Sequence, residues 1–424
     1  MLSVALIAGL VCVTTWVYLL VAHGRFWRIP LPSFGLERSG APSFSASFAE
    51  RVGPHRTVAV IIPARNEAAV ISRAVSSLLR QAPTLSPNAG EMDGAPAVDL
   101  VAAGAPSSSA DFAERVGRIH IFVVDDNSTD RTADAARQAA EDQLDRVTVI
   151  DGHPLPPGWS GKLWAVQQGV EQALGIDPDF LLLTDADIEH DSHNVAQLVA
   201  IADQGYDIAS FMVKLHCRSV AERMLIPAFV FFFFMLYPPE WIRDPRRGTA
   251  GAAGGCILIR PSALKQIGGL AAIRGEIIDD CALARAVKKT GGRVWLGTTA
   301  DTHSVRPYKT FGEIERMIAR TAFNQLQHSF WMLLGTVVGM LMIYVLPLVL
   351  LLSGSAKLAL VGAAAYLLMG VAYLPMVRFY GLNVLSALTL PFSAAFYTVA
   401  TIHSALKYWT GRGGEWKGRA QDRA

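Results

Sequence analysis

Cysteine is scarce in this chain. Cys12, Cys217, Cys256 and Cys281 are the only four in 424 residues, and no two stand at CxxC spacing. Such a scatter builds neither a zinc cluster nor a disulfide framework, and it fits a reducing compartment. Charge is thin as well. Charged residues make up 17% and the net charge is +2, so no basic field is available to grip nucleic acid. Residues 2–22, 330–356 and 358–377 contain no charged residue at all, and in 382–406 the only ionisable group is His403.

What fills those stretches is apolar. Hydrophobic residues reach 51% of the chain and the mean hydropathy is +0.31. About 20 apolar residues in a helix cross a bilayer's hydrocarbon core, so all four stretches predict membrane helices. The first has no basic flank before it, is too long for a signal h-region, and has no small-x-small site ahead of Arg25; it reads as an uncleaved anchor. Arg25 and Arg28 follow at once. Because Lys and Arg mark the cytoplasmic side, the expectation is a multi-pass protein of the cell (inner) membrane with its central domain in the cytoplasm. Four full spans would leave the tail 407–424 outside, yet its five Lys/Arg favour the inside. One resolution is that 382–406 is re-entrant.

The organisation follows: an anchor over 1–24, a linker over 25–56, a central domain over 57–325, a membrane region of two or three helices over 330–406, and a basic tail over 407–424. Within the domain, short apolar runs alternate with helical ones. TVAVIIPA (57–64), IHIFVVDD (119–126), RVTVID (146–151) and FLLLTDAD (180–187) read as strands, and 67–81, 130–144 and 162–174 as helices between them. That alternation implies an α/β domain with a parallel, doubly wound sheet, in which ligands sit beyond the carboxyl ends of the strands. The segment 41–53 recurs at 105–117 with two differences, and the low-complexity insertion 82–118 is read as a surface loop. LIPAFVFFFFMLYPP (225–239) is short for a span; an element lying at the membrane surface is expected, with buried core as the alternative.

Three strand ends carry acids or polar turns. Asp185 and Asp187, one residue apart after FLLLT, suit a hard divalent cation that is also held by substrate phosphates. On an extended segment both would face the same crevice. Asp125, Asp126 and Asp130 end another strand, where a carboxylate can accept from a base N–H or a ribose hydroxyl. Pro63, Arg65, Asn66 and Glu67 follow the first strand, and GWSGK sets Lys162 at a helix start, a place suited to an anion.

The ordered set PARNE, VVDDNSTD, GK, TDAD, GG-x-x-x-x-R and IIDD, over about 57–325, resembles a family-two inverting glycosyltransferase with the GT-A fold. The flanking helices are similar to those of membrane-bound members acting on lipids. Hopanoid-associated glycosyltransferases are the most similar, ceramide glucosyltransferases more distantly. The resemblance implies a Rossmann-like nucleotide-diphospho-sugar domain between terminal transmembrane helices, with a nucleotide-sugar donor (a UDP-sugar by default), a lipid acceptor and a Mg²⁺ or Mn²⁺ ion. It implies that Pro63, Glu67 and Asp126 line the nucleotide pocket, with Asp125 beside them. Asp185 and Asp187 would bind the metal or donor diphosphate, and Asp280 would act as general base. Arg65 and Lys162 join the donor side. The family's Q-x-x-R-W element corresponds to 315–326, where Arg320 matches the arginine while Met317 and Thr321 replace the glutamine and tryptophan. That erosion argues against a processive synthase, and Arg320 is assigned to the diphosphate. His303 is either a late, metal-proximal histidine, as in some GT-A enzymes, or structural.

Overall fold

The computed structural model describes residues 2–30, 56–81 and 116–411, with two short strands at 415–416 and 419–420. The 41–53/105–117 repeat, apart from Val116 and Gly117, and nearly all of the 82–118 insertion lie outside the described residues. Eight strands form one sheet: β1 Arg56–Ala64, β2 Val116–Asp125, β3 Val147–Asp151, β4 Phe180–Thr184, β5 Ile188–Glu189, β6 Ile208–Lys214, β7 Cys256–Ile259 and β8 Val294–Ser304. Their order is β3-β2-β1-β4-β7-β6-β8-β5. β1 runs parallel to β2 and β4, and β2 to β3. Val58 to Ile62 are fully buried, as expected of strands covered on both faces, whose sequences read as continuous apolar runs.

The sheet is mixed, which corrects the expectation of a wholly parallel one. β7 runs antiparallel to both β4 and β6, and β5 antiparallel to β8. The chain reaches β7 by turning back after a helix beside the sheet, so no crossover forces it parallel. Two antiparallel steps restore the original direction, and β8 pairs parallel with β6. The carboxyl ends of β1, β2, β4 and β8 and the amino end of β7 therefore share one edge.

Helices α1 Leu2–Val21, α2 Ile71–Leu79, α3 Thr132–Ala139, α4 Gly161–Ala173, α5 Asn194–Ala202, α6 Val220–Leu236, α7 Asp279–Lys289 and α8 Phe311–Ala319 precede three apolar C-terminal stretches, α9 Phe330–Leu351, α10 Ala356–Phe379 and α11 Leu390–Trp409. Five helical segments, those of α1, α6, α9, α10 and α11, are long and apolar enough to cross a membrane. The four expected spans are among them. α9 carries a π-turn over Leu341–Val345 just before Pro347, the kind of interruption that re-aims a helix.

The fifth, α6, contains the phenylalanine run, and the structure favours buried core over a membrane-surface position. Phe231 and Phe234 are fully buried. Phe231 packs on Phe26 and Tyr373, and Phe232 on Tyr344 and Tyr397. Nor does α6 cross a bilayer, despite its length. The strands before and after it lie side by side in one sheet, Ile208 opposite Ile259, and no second apolar helix occupies 237–255 to bring the chain back. The apolar cluster around α6 runs without a break from Cys12 and Trp16 of α1 to Leu163, Ile257 and Leu283 of the sheet domain.

α11 lies beside α8 in the same direction. Phe311 meets Phe396, Glu315 meets His403 and Lys407, and Ser404 donates to the carbonyl of Ala319 at 2.6 Å. Near its other end Ser393 donates to the carbonyl of Met224 at 2.8 Å. Both ends of α11 thus rest on elements of the sheet domain.

Candidate active site

The shared edge gathers most of the expected residues. α4 is capped by Ser160, whose hydroxyl accepts from the N–H of Leu163, so Lys162 sits in its first turn. Lys162 Nζ lies 2.9 Å from Asp185 Oδ1 and 3.4 Å from Asp279 Oδ2. Burial alone would lower the ammonium pKa, but Asp185 and Asp279 win and hold it above its ordinary value. Pro63, Lys162, Asp185, Gly254, Asp279 and Asp280 line one pocket.

Asp279 and Asp280 open α7 and diverge. Asp279 turns to Lys162. Asp280 accepts from the N–H of Gly254 at 2.8 Å and from that of Cys281 at 2.7 Å. Burial, with the neighbouring Asp279 charge adding to it, raises the Asp280 carboxyl to about 6, against the pull of Lys162. A helix N-terminus favours a carboxylate; here desolvation outweighs it. A carboxylate whose proton affinity lies close to neutrality is suited to general base work.

The two aspartates of TDAD do not share one face, which corrects the expectation from strand alternation. β4 ends at Thr184, and residues 185–188 turn, with the N–H of Ile188 reaching the carbonyl of Asp185 at 3.3 Å. Asp185 faces Lys162. Asp187 is buried and faces the end of β8, where its Oδ2 accepts from Ser304 Oγ at 3.0 Å and Arg306 Nε at 2.9 Å. The same guanidinium reaches Glu67 Oε1 through Nη2.

Around β1 and β2 the register sets Ala64 beside Asp125. The N–H of Asp126 donates to the carbonyl of Ala64 at 2.8 Å, and Arg65 reaches back to the carbonyl and carboxylate of Asp126. Asp125 Oδ1 accepts from the N–H of Ser128, and the N–H of Glu67 donates to Thr132 Oγ1, both at 2.9 Å. Asn66, Asn127 and Arg131 adopt left-handed backbone conformations, uncommon for non-glycine residues and concentrated at sites. Asn66 ties the PARNE and DDNSTD loops together: its N–H donates to Ser128 Oγ at 2.9 Å and its Oδ1 accepts from the N–H of Thr129 at 2.8 Å.

Arg320 is exposed at the end of α8. Burial and the Asp187 carboxylate push the Tyr308 phenol up while Arg306 and Arg320 oppose this, so Arg320 borders the same electrostatic neighbourhood. His303 Nε2 sits 3.7 Å from Glu189, and its Nδ1 donates to the carbonyl of Asp301 at 3.0 Å; neither TDAD aspartate is its partner. Arg306 and Tyr308 were not among the expected residues. Had 294–304 been read as a strand, Arg306 would have fallen two residues beyond its carboxyl end, the position class of the other site residues.

Among the described residues no group of three or more His, Cys, Asp or Glu is arranged to hold a metal ion. What the protein offers is two carboxylates, Asp185 and Asp187, a donor set that fits a hard cation taking its remaining ligands from phosphate oxygens.

Residues 110–268 match the model of Glycosyl transferase family 2. Curated relatives include the undecaprenyl-phosphate 4-deoxy-4-formamido-L-arabinose transferases of Pseudomonas savastanoi, 36% identical over 92 residues (22% of this chain, 25% of the relative), and of Pectobacterium atrosepticum, 33% identical over 88 residues (21% and 25%). The chain thus spans about a quarter of the length of the curated relatives it matches. Similar solved structures include a mannosyltransferase from Pyrobaculum calidifontis in complex with GDP-Man and Mn²⁺, at TM-score 0.49 and 16% identity, covering 97% of this chain and 100% of that one. Another is glucosyl-3-phosphoglycerate synthase from Mycobacterium tuberculosis with Mn²⁺, UDP-glucose and glycerol 3-phosphate, at TM-score 0.36 and 18% identity, covering 69% and 86%.

Proposed function

We propose that this protein is a membrane-bound inverting glycosyltransferase, moving a sugar from a nucleoside-diphospho-sugar to a lipid acceptor at the cytoplasmic leaflet. The observation that carries the reading is the single pocket in which Lys162, Asp185, Asp279 and Asp280 meet at the strand ends, built against apolar helices that can hold a lipid nearby.

Asp280 takes the proton from the acceptor hydroxyl as that oxygen attacks the anomeric carbon. Lys162, held charged by Asp185 and Asp279, stabilises negative charge on the leaving side. The loops bearing Pro63, Arg65, Glu67, Asp125 and Asp126 form the nucleoside end, and Arg320 adds a guanidinium at the rim. Asp185 and Asp187 would hold a divalent cation, which supplies charge neutralisation at the departing diphosphate. Attack from the face opposite the leaving group inverts configuration without a covalent intermediate.

The acceptor is assigned as a hydroxyl-bearing lipid of hopanoid type, from the sequence resemblance. The partial match to undecaprenyl-phosphate transferases favours a second acceptor, a polyprenyl phosphate. Mass spectrometry of lipids from cells with and without the gene distinguishes them: a glycosylated hydroxy-lipid or a sugar-linked polyprenyl phosphate should disappear with the protein. Purified protein should release nucleoside diphosphate with that lipid, and Asp280→Asn should lose this by about 10²–10⁴-fold. Full transfer by the variant would remove Asp280 from its role, and no release with either lipid class would overturn the reading.

A further inference from the structure

Arg306 stands between two buried carboxylates that follow different strands, Glu67 after β1 and Asp187 after β4. Its Nε donates to Asp187 Oδ2 at 2.9 Å and its Nη2 to Glu67 Oε1. The carboxylate side chains retain 12% and 9% exposure, while Arg306 retains 34%. Buried carboxylates without a counter-cation are costly, and Arg306 supplies a cation to both Glu67 and Asp187. A divalent cation approaching Asp187 meets a second cation already seated on its oxygen. Both cannot hold the same carboxylate at close range without strong repulsion.

A guanidinium that leaves Asp187 needs another anion, and a diphosphate offers the bidentate geometry it prefers. The backbone around Arg306 is fixed: the N–H of Tyr308 donates to Glu222 Oε1 at 2.6 Å, and that of Arg306 to Ser304 Oγ at 3.3 Å. An exchange of partners is therefore a side-chain movement of a partly exposed arginine.

We propose that Arg306 is a positioning residue that couples metal binding to donor binding. In the free protein it is the counter-ion of Asp187. When a nucleoside diphosphate arrives, the guanidinium passes to a phosphate oxygen and Asp187 becomes available to the cation. The proposal rests on the donor-site reading given above. Its consequence is reciprocal: nucleotide strengthens metal binding, and metal strengthens nucleotide binding by the same factor.

The test is Mn²⁺ binding to the detergent-purified full chain, followed by the electron paramagnetic resonance of free Mn²⁺, alone and with saturating UDP or GDP. Wild type should bind Mn²⁺ about tenfold or more tightly with the matching nucleotide, within the usual range of such couplings. Arg306→Met should bind Mn²⁺ more tightly than wild type without nucleotide and show a smaller nucleotide enhancement, reduced to what the diphosphate oxygens themselves supply as ligands. Ser304→Ala, which removes a hydrogen bond to Asp187 but no charge, should keep the wild-type enhancement. Wild type that binds Mn²⁺ equally with and without nucleotide overturns the coupling, and this arm stands even if Arg306→Met does not fold. So does an Arg306→Met variant with the wild-type enhancement. Wild type that binds neither Mn²⁺ nor either nucleotide overturns the donor-site reading itself and the coupling with it.

Discussion

The backbone N–H of Gly254 donates to Asp280 Oδ2 over 2.8 Å, and a Cβ at residue 254 would stand 3.1 Å from that oxygen and 3.5 Å from Lys162 Nζ. The glycine lets the start of β7 approach the base closely enough to orient it. Gly254→Ala should displace the carboxylate by a few tenths of an ångström and lower kcat by about tenfold to a hundredfold, since small misplacements of reacting groups are expensive. The donor KM should change much less. Steady-state kinetics decide, and an unchanged kcat would mean that the contact does not orient the base.

The rate should depend on pH through the same aspartate. Asp280 works as a base only when ionised, and burial with Asp279 has raised it to about 6. kcat/KM should therefore rise with pH through about 6 and level off above it. Lys162 opposes the rise, so Lys162→Met should push the acidic limb to higher pH besides weakening donor binding. A limb that stays in place in that variant would show that Lys162 does not act on Asp280.

Glu222 should matter to stability. It is fully buried at the start of α6 and accepts from the N–H groups of Arg218, Ser219 and Tyr308 and contacts His216 Nδ1 at 2.7 Å. Glu222→Gln replaces one acceptor oxygen by a donor facing donors, a loss of about 2–3 kcal/mol for hydrogen bonds to a buried charged group. A lower thermal midpoint in detergent is expected, together with loosening of the Arg306–Tyr308 loop seen as faster amide exchange there.

Labelling should place the C-terminal tail on the side of the sheet domain. α8 carries Glu313 in its first turn, Glu315 in its middle, Arg316 in its last turn and Arg320 at its end, which keeps it out of hydrocarbon, and α11 follows it along its length. On that packing α11 is expected at headgroup depth, with α1, α9 and α10 as the crossings. A Gln421→Cys variant in sealed inside-out vesicles should react with a membrane-impermeant maleimide, and in intact cells it should not. The reverse pattern would restore α11 as a fourth crossing. The expected arrangement reconciles the five Lys/Arg of the tail with the anchor's orientation.

Much of the site was legible because each acid follows an apolar run: Asp125–Asp126 after IFVV and Asp185 after FLLL mark strand ends without knowledge of the fold. The anchors were legible because charge is absent over whole spans. The antiparallel β7 was not, since a four-residue run such as CILI states no direction. The split of TDAD was hidden because it depends on a turn closing at Ile188. Arg306 was hidden for a different reason. It meets Asp187 and Glu67 only through the sheet order, at sequence separations of 119 and 239, and its local context, SVRPY, has no spacing that signals a site. The phenylalanine run was misplaced at the membrane surface because its partners, Phe26, Tyr344, Tyr373 and Tyr397, come from four other segments.

The apolar cluster shared by α1, α6, α10 and the sheet has a practical corollary for anyone dividing the molecule. Stopping the chain before Phe330, or beginning it after Arg28, would strip Tyr344, Tyr373 and Tyr397, or Phe26, from the faces of Phe231 and Phe232 and bare them to water. A fragment holding the sheet alone would carry that apolar face exposed, and it should associate rather than stay dispersed in water.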